Sequence, residues 1–134
     1  MSAEEKLTYI DSSAIVKLAV AEPESGALRR HLSRRPPLVS SALARTEVAR
    51  ALTPCGLAAV RRGEEVLRRI QLLRVNDPVL TAAGKMEPAD LRSLDAIHLA
   101  SAARLGAAVK HVVTYDERMA ASARAAGWTV ASPR

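Results

Sequence analysis

Apolar and polar positions along the chain alternate between two periods, one typical of short strands and one typical of helices. Short, mostly apolar runs predict strands at residues 7–10, 38–40, 72–75, 109–115 and 128–130. Apolar residues at helical spacing predict helices at residues 14–20, 26–33, 42–53, 57–71, 79–83, 91–106 and 117–126. This alternation predicts an α/β fold with a mostly parallel central sheet of about five strands and helices on both faces. At 134 residues, we expect a single domain that covers residues 1–134.

The helix predicted at residues 91–106 carries an acid where an apolar side chain is expected. On a helical wheel, one broad arc holds Leu91, Leu94, Ile97, Leu99, Ala102 and Leu105. Asp95 lies inside that arc. A carboxylate on a buried face is costly unless it is paired, hydrogen-bonded or bound to a cation. One interpretation is an ion pair with an arginine, and the other is a functional site that uses the charge.

Three further acids occupy comparable positions. Asp11 and Asp116 each come directly after a predicted strand, and Glu47 falls on the apolar arc of the helix predicted at residues 42–53. The carboxyl ends of parallel strands meet at one edge of the sheet, where α/β proteins bind ligands. We therefore expect these acids to share one cleft with Asp95.

Each of these acids also has a purely structural interpretation. Asp11 could cap the helix that follows it, although one of the two serines after it is the expected cap. Glu47 could form an ion pair with Arg45 or Arg50, and Arg50 is the nearer of the two on the helical wheel. The sequence leaves these alternatives open.

The chain is basic, with a net charge of +6 and only four lysines among its cations. Without the four acids considered above, the remaining residues carry +10, which is four more than the whole chain. Such a surface suits a polyanion, although an ordinary solvated surface accounts for the charge equally well. The chain has two Tyr, one Trp and no Phe, so few side chains are available to stack on nucleobases.

Other residue types exclude several classes of protein. Cys55 is the single cysteine, so neither an internal disulfide nor a cysteine-based zinc site is expected. The three histidines, His31, His98 and His111, lack the spacing of zinc ligands. The chain starts with acidic rather than basic residues and has no long apolar run, so we expect a cytoplasmic protein that does not contact a membrane.

Four carboxylates in one cleft would repel one another, and a hard divalent cation removes that repulsion. Mg²⁺ or Mn²⁺ prefers oxygen ligands and binds through a few carboxylates, several waters and substrate phosphate. Such an ion can activate water and stabilise charge during displacement at a phosphodiester. The constellation therefore predicts a metal-dependent nuclease, and single-stranded or looped RNA is the favoured target because the scissile bond must reach a narrow cleft.

Four blocks of the sequence contain the four acids, namely YIDSSA at residues 9–14, SSAL at 40–43 leading to EVARAL at 47–52, LDAIHLA at 94–100, and VTYD at 113–116. Together these blocks resemble the PIN-domain family, and more closely the VapC-type ribonuclease toxins of bacterial toxin–antitoxin pairs. They span nearly the whole chain in the order and spacing of the family. Each block alone is weak, but the four together are specific.

The resemblance implies a role for each acid. Asp11, Glu47, Asp95 and Asp116 would form the catalytic, metal-binding quartet for Mg²⁺ or Mn²⁺, with Asp11 and Asp95 as the most direct ligands. Thr114 would support this cluster from the last strand of the motif. The resemblance also implies endoribonucleolytic cleavage of structured RNA such as tRNA. As partners it implies a VapB-type antitoxin, a homodimer, and a heterotetramer or larger assembly with the antitoxin.

Two residues near the quartet carry further expectations. Arg118 stands where some relatives have another acid, which leaves the number of metal ions at the site open. His98 lies on the apolar arc one turn from Asp95, and we expect a packed structural histidine rather than a catalytic base.

Two other functions compete with the nuclease. A phosphorelay receiver domain is also a small α/β fold with acids around Mg²⁺, but it needs a second acid beside Asp11 and a lysine late in the chain. Asp11 is followed by two serines, and no lysine follows Lys110. The second alternative is a catalytically inactive PIN fold that binds RNA or a protein partner.

Overall fold

The computed structural model describes residues 6–35 and 37–134, in which five strands form one sheet in the order β3-β2-β1-β4-β5. The strands are β1 (Leu7–Ile10), β2 (Leu38–Ser41), β3 (Gln71–Leu73), β4 (Val109–Val113) and β5 (Thr129–Ala131). Every neighbouring pair is parallel, so the predicted parallel α/β sheet is confirmed.

Helices cover both faces of this sheet, as predicted. They are α1 (Ser12–Ala19), α2 (Ser25–Leu32), α3 (Ala44–Leu52), α4 (Leu57–Arg68), α5 (Asp77–Gly84), α6 (Ser93–Arg104) and α7 (Glu117–Ala125). Because successive strand side chains point to opposite faces, Ile10 and Val113 pack in one core with α1 to α4. Tyr9 and Val112 pack in a second core with α6 and α7. None of the helices in the described residues has the length and apolar character needed to cross a membrane.

Helix α5 begins at Asp77, two residues before the predicted start at residue 79. Asn76 caps the helix by accepting a hydrogen bond from the Val79 amide at 3.1 Å, and Pro78 lies in the first turn. Proline is tolerated there because the amides of the first turn have no partner within the helix. Residues 76–78 therefore start the helix and do not precede it as a separate segment.

The first turn of α6 also differs from the prediction. The helix begins at Ser93 rather than at residue 91, and Leu94 is 47% exposed although it was expected on the buried face. Burial along α6 begins at Ala96, so the first turn extends beyond the apolar core. Asp95 is therefore placed at the edge of the core.

Helix α3, which carries Glu47, packs closely against α4 at Gly63. A Cβ atom on Gly63 would lie 2.6 Å from Cδ1 of Leu52 and 3.2 Å from Cγ1 of Val48, and both of these side chains are buried. A glycine at this position thus allows the close approach of the two helices.

The strand order produces a topological switch beside β1. From β1 the sheet continues to β2 and β3 on one side, whereas β4 and β5 lie on the other. In open α/β sheets, the crevice at the carboxyl ends of the strands next to such a reversal is the usual ligand site. Residues directly after β1 and β4 therefore flank the candidate site.

Candidate active site

Asp11 is the first residue after β1 and caps α1. Its Oδ1 accepts hydrogen bonds from the Ala14 amide at 3.1 Å and from Ser13 Oγ at 2.6 Å. Its Oδ2 accepts a bond from Thr114 Oγ1 at 2.6 Å. Asp11 is only 4% exposed, and burial raises its pKa in spite of these bonds. The cap is therefore Asp11 itself, and the expectation of a serine cap was wrong because Ser12 and Ser13 lie within the helix.

Thr114 links the ends of β1 and β4. It is fully buried, and its Oγ1 both donates to Asp11 and accepts a hydrogen bond from the Asp116 amide at 3.0 Å. Ser13 adds a second link, because its Oγ accepts a bond from the Tyr115 amide at 2.9 Å. Asp116 in turn caps α7 by accepting a bond from the third amide of that helix at 2.9 Å. Both strand-end carboxylates are thus held in fixed orientations.

Glu47 reaches the site from α3 and contacts two side chains. Ser12 Oγ donates to its Oε1 at 2.6 Å, and His98 Nε2 lies 2.6 Å from the same oxygen. Burial acts to raise the pKa of Glu47, but the bonds from His98 and Ser12 outweigh it and the pKa is lowered. The alternative ion pair with Arg45 or Arg50 is not formed in the part of the chain that the structure describes.

His98 bridges Glu47 and Tyr9 beneath the site. It is 2% exposed, and its Nδ1 lies 2.8 Å from the Tyr9 hydroxyl. In a neutral imidazole one ring nitrogen donates and the other accepts. Because Nε2 faces a carboxylate, we assign the proton to Nε2, so that Nδ1 accepts the Tyr9 hydroxyl proton. The expected burial of His98 is confirmed, and its contact with Glu47 shows that it also orients this carboxylate.

Asp95 lies in the first turn of α6 and has an unpartnered oxygen. Its Oδ2 is buried and has no hydrogen-bond partner among the described residues. Burial raises the pKa of Asp95, and the charges of Asp116, Asp11 and Glu47 raise it further. The alternative ion pair with an arginine is not formed within the described ranges. The structure thus brings Asp11, Glu47 and Asp116 within electrostatic range of Asp95.

This set of donors fits a hard divalent cation that is held through few protein ligands. Across residues 6–35 and 37–134, no group of three or more His, Cys, Asp or Glu side chains is arranged to hold a metal ion. Mg²⁺ does not require such a cage, since it binds through one or two carboxylates and retains several waters. A cation would also relieve both the unpartnered oxygen of Asp95 and the unfavourable burial of the Asp11 charge.

Sequence reasoning missed the side chains that orient the acids. Ser12 and Ser13 were interpreted as candidate caps, whereas their hydroxyls donate to Glu47 and Asp11. His98 lies three residues after Asp95, so helical spacing did place it on the same face of α6. No local pattern indicated that Tyr9 would contact it.

Comparison with known proteins identifies the family of the chain. The PIN domain family model matches residues 8–125. The chain therefore belongs to the PIN-domain family, as the four sequence blocks indicated, and the phosphorelay receiver alternative is discarded.

Several ribonucleases of Mycobacterium tuberculosis are similar to the chain within this family. Ribonuclease VapC46 (strain ATCC 25618 / H37Rv) is 55% identical over 125 residues, which cover 93% of this chain and 96% of that protein. Ribonuclease VapC47 (strain CDC 1551 / Oshkosh) is 36% identical over 132 residues, covering 95% and 97%. Ribonuclease VapC35 is 38% identical over 134 residues, with the same coverage. The chain is accordingly of the VapC type.

Solved structures share the fold at low sequence identity. Mycobacterium tuberculosis VapC20, described as a Sarcin-Ricin loop cleaving toxin, has a TM-score of 0.76 and 18% identity, covering 94% of this chain and 99% of its own. A chain of a toxin–antitoxin complex from Klebsiella pneumoniae has a TM-score of 0.71 and 18% identity, covering 95% and 98%. These likenesses support the fold.

Proposed function

We propose that this chain is a Mg²⁺- or Mn²⁺-dependent endoribonuclease that hydrolyses phosphodiester bonds of RNA and acts as the toxin of a toxin–antitoxin pair. The observation that carries the proposal is the buried, unpartnered Oδ2 of Asp95, whose carboxyl group lies within electrostatic range of Asp11, Glu47 and Asp116. The 55% identity to a protein named as a ribonuclease supports the class of reaction.

Each of the four acids would have its own role, which depends on the hydrogen bonds that its carboxyl group makes. Asp11 and Asp95 would hold the cation, because one is fixed by three hydrogen bonds and the other has an unpartnered oxygen. When bound, the cation supplies an activated water and positive charge that orients and stabilises the reacting phosphodiester. Glu47 accepts both of its hydrogen bonds at Oε1, which leaves Oε2 available to a water or the cation. Asp116 adds negative charge from the end of β4.

Residues outside the quartet would act by positioning it. The Thr114 hydroxyl keeps the Asp11 carboxylate aligned, and the Tyr9–His98 pair keeps Glu47 aligned. Partners of this kind raise the affinity of a metal site by fixing its ligands before the ion binds.

Structured RNA such as tRNA is the proposed substrate, and a VapB-type antitoxin is the proposed inhibitor. The relatives named as VapC ribonucleases and the similar fold in a toxin–antitoxin complex support these two partner classes. We further propose that residues 1–134 act as one cytoplasmic domain. The proposed assembly is a homodimer that forms a heterotetramer or a larger complex with the antitoxin.

Cleavage of purified total RNA, with the new ends mapped, tests this function. We expect the wild type to cut in Mn²⁺, to stop when EDTA is added, and to recover when Mn²⁺ is restored. Asp11→Asn should remain folded, bind Mn²⁺ more weakly by isothermal titration and fail to cut. Asp90→Asn removes the same charge from an exposed loop and should behave as the wild type.

Two outcomes would contradict the proposal. Undiminished cutting in EDTA, or by Asp11→Asn, would remove the metal mechanism. RNA binding that is insensitive to metal and never followed by cleavage would instead select the inactive PIN module.

A further inference from the structure

A second feature lies outside the acidic site, where a basic cavity of about 470 Å³ forms between α2 and the segment that follows β5. Four arginines line it, namely Arg30, Arg34, Arg35 and Arg134, together with His31. Arg30, Arg34 and Arg35 are exposed to solvent. Guanidinium groups that are gathered in one concave surface repel one another, so an anionic ligand would be favoured there.

Three of the four arginines in this cavity form no ion pair with the described residues. Among the described residues, the ion pairs include Arg134 with Glu24 at 3.7 Å, but none that involves Arg30, Arg34 or Arg35. The surroundings of His31 agree with this. Its pKa is lowered by burial and then by the neighbouring positive charge of Arg35. Its Nε2 is buried and has no hydrogen-bond partner in the described part of the chain.

The basic cavity is connected to Asp116 through a second cavity. This cavity of about 410 Å³ is lined by the acids Asp116 and Glu117 and by Arg124 and Arg134, so Arg134 forms a wall common to both cavities. Arg134 is held there by Glu24, and its guanidinium lies 6.0 Å from the centre of the Tyr115 ring. The two cavities therefore form one concave surface that runs from the start of α7 along α2, and its positive charge is concentrated at the α2 end.

We propose that this basic cavity binds the phosphate backbone of the RNA and directs the strand toward the acidic site. The inference rests on the proposed function, to which it adds the route of the substrate. Guanidinium groups match phosphate oxygens in charge and in bidentate geometry. No Phe, Tyr or Trp is among the described residues that line the cavity, so its contacts carry affinity rather than sequence preference.

An acidic protein segment is a less suitable occupant. A bound peptide is usually anchored by large apolar or aromatic side chains in matching pockets. The apolar lining of this cavity consists of Ala27 and Pro133, which offer little area for such an anchor. A polyphosphate chain needs only the charges.

Salt-dependent binding of a fluorescein-labelled oligouridylate, measured by anisotropy in EDTA, tests the inference. The variant Arg34→Ala/Arg35→Ala should bind about tenfold or more weakly. The slope of log K against log salt should become shallower by about 1.4, since each phosphate contact on a single strand contributes about 0.7. The control Arg50→Ala/Arg61→Ala removes the same charge from exposed positions on α3 and α4 and should keep the wild-type slope.

The inference is overturned if the salt slope of Arg34→Ala/Arg35→Ala is unchanged. It is also overturned if the control variant loses as much slope as this variant. The inference is also overturned if Arg34→Ala/Arg35→Ala no longer binds a polyglutamate peptide but binds RNA as the wild type does. The surface would then be assigned to a protein partner. If the double variant fails to fold, Arg34→Gln carries the test with an expected slope change of about 0.7.

The measurement also separates this inference from the proposed function, because no divalent ion is present. A chain that binds RNA through these arginines but never cuts it would refute only the proposed function. If the wild type cuts RNA and the salt slope of the variant is unchanged, only the proposed role of the basic cavity is refuted.

Discussion

Replacing Asp95 with asparagine should stabilise the cation-free protein and abolish its response to divalent cations. The Oδ2 atom is buried without a partner, and burial together with the charge of Asp116 raises the pKa. Asparagine would still leave an unpartnered polar atom there, so the gain comes from removing the charge that burial and the neighbouring carboxylates disfavour. Because the side chain is partly exposed, we take about 1 kcal/mol for this charge. For a chain of 134 residues this predicts a rise in Tm of roughly 3–5 °C.

The stability advantage of Asp95→Asn should increase with pH, because the pKa of Asp95 is raised in the folded protein. Well below the ordinary carboxyl pKa of 3.8, Asp95 is protonated in the folded and unfolded states, and the substitution changes little. Between 3.8 and the raised pKa, the folded wild type binds more protons than the unfolded chain, so its stability falls as the pH rises. The advantage of Asp95→Asn therefore grows through this window and is complete above the raised pKa.

Thermal and urea unfolding in EDTA, followed by Mn²⁺ titration, measure both effects. A ligand that binds only the folded state adds about 2.7 kcal/mol at one hundred times its Kd, or roughly 10 °C here. Asp95→Asn should lose most of this gain, whereas Asp90→Asn should retain it. The reasoning is refuted if Asp95→Asn keeps the full Mn²⁺ response, or if it is less stable than the wild type in EDTA at neutral pH.

Three further substitutions test the groups that support the site. Thr114→Val removes a hydrogen bond to the Asp11 carboxylate and should cost about 2 kcal/mol in urea unfolding, whereas Thr114→Ser should retain most of the stability. His98→Asn should slow RNA cleavage about 10–100-fold in the presence of Mn²⁺. Because it breaks buried contacts with Tyr9 and Glu47, it should also lower the free energy of unfolding by about 1–3 kcal/mol. His98→Gln, which can still donate near the position of Nε2, should recover much of the rate; equal rates for both variants would contradict the positioning role. Gly63→Ala should lower the free energy of unfolding by about 1 kcal/mol, because overpacking against a buried leucine outweighs better helix propensity. Gly84→Ala meets open space and should be neutral or stabilising, so a similar loss there would contradict this explanation.

The order of strands and helices could be predicted because it depends on local periodicity. Asp11 was found in the same way, because it directly follows β1. Asp116 was predicted to follow its strand directly, but β4 ends at Val113 and Asp116 lies three residues later, where it caps α7. Asp95 stood out because it interrupts an apolar arc on one helix. The errors fell on helix starts, where Asn76 and Asp11 proved to be caps, because capping depends on backbone geometry that the residue type only favours.

The contacts that hold the site together were decided by tertiary packing. Ser12 meets Glu47 across 35 residues, Tyr9 meets His98 across 89 and Thr114 meets Asp11 across 103. Such contacts depend on which strands become neighbours and on how far each helix is rotated against the sheet. No local pattern encodes these variables, because many pairings bury similar apolar area.

The same distinction applies to charge. The sequence alone determined that the chain is basic and that four acids occupy improbable positions. Only the folded chain decided that Asp95 has an unpartnered buried oxygen, and that Arg134 lies between Asp116 and the arginines that follow α2. The physical reason is that composition sets total charge, whereas distances between residues remote in sequence set its local field.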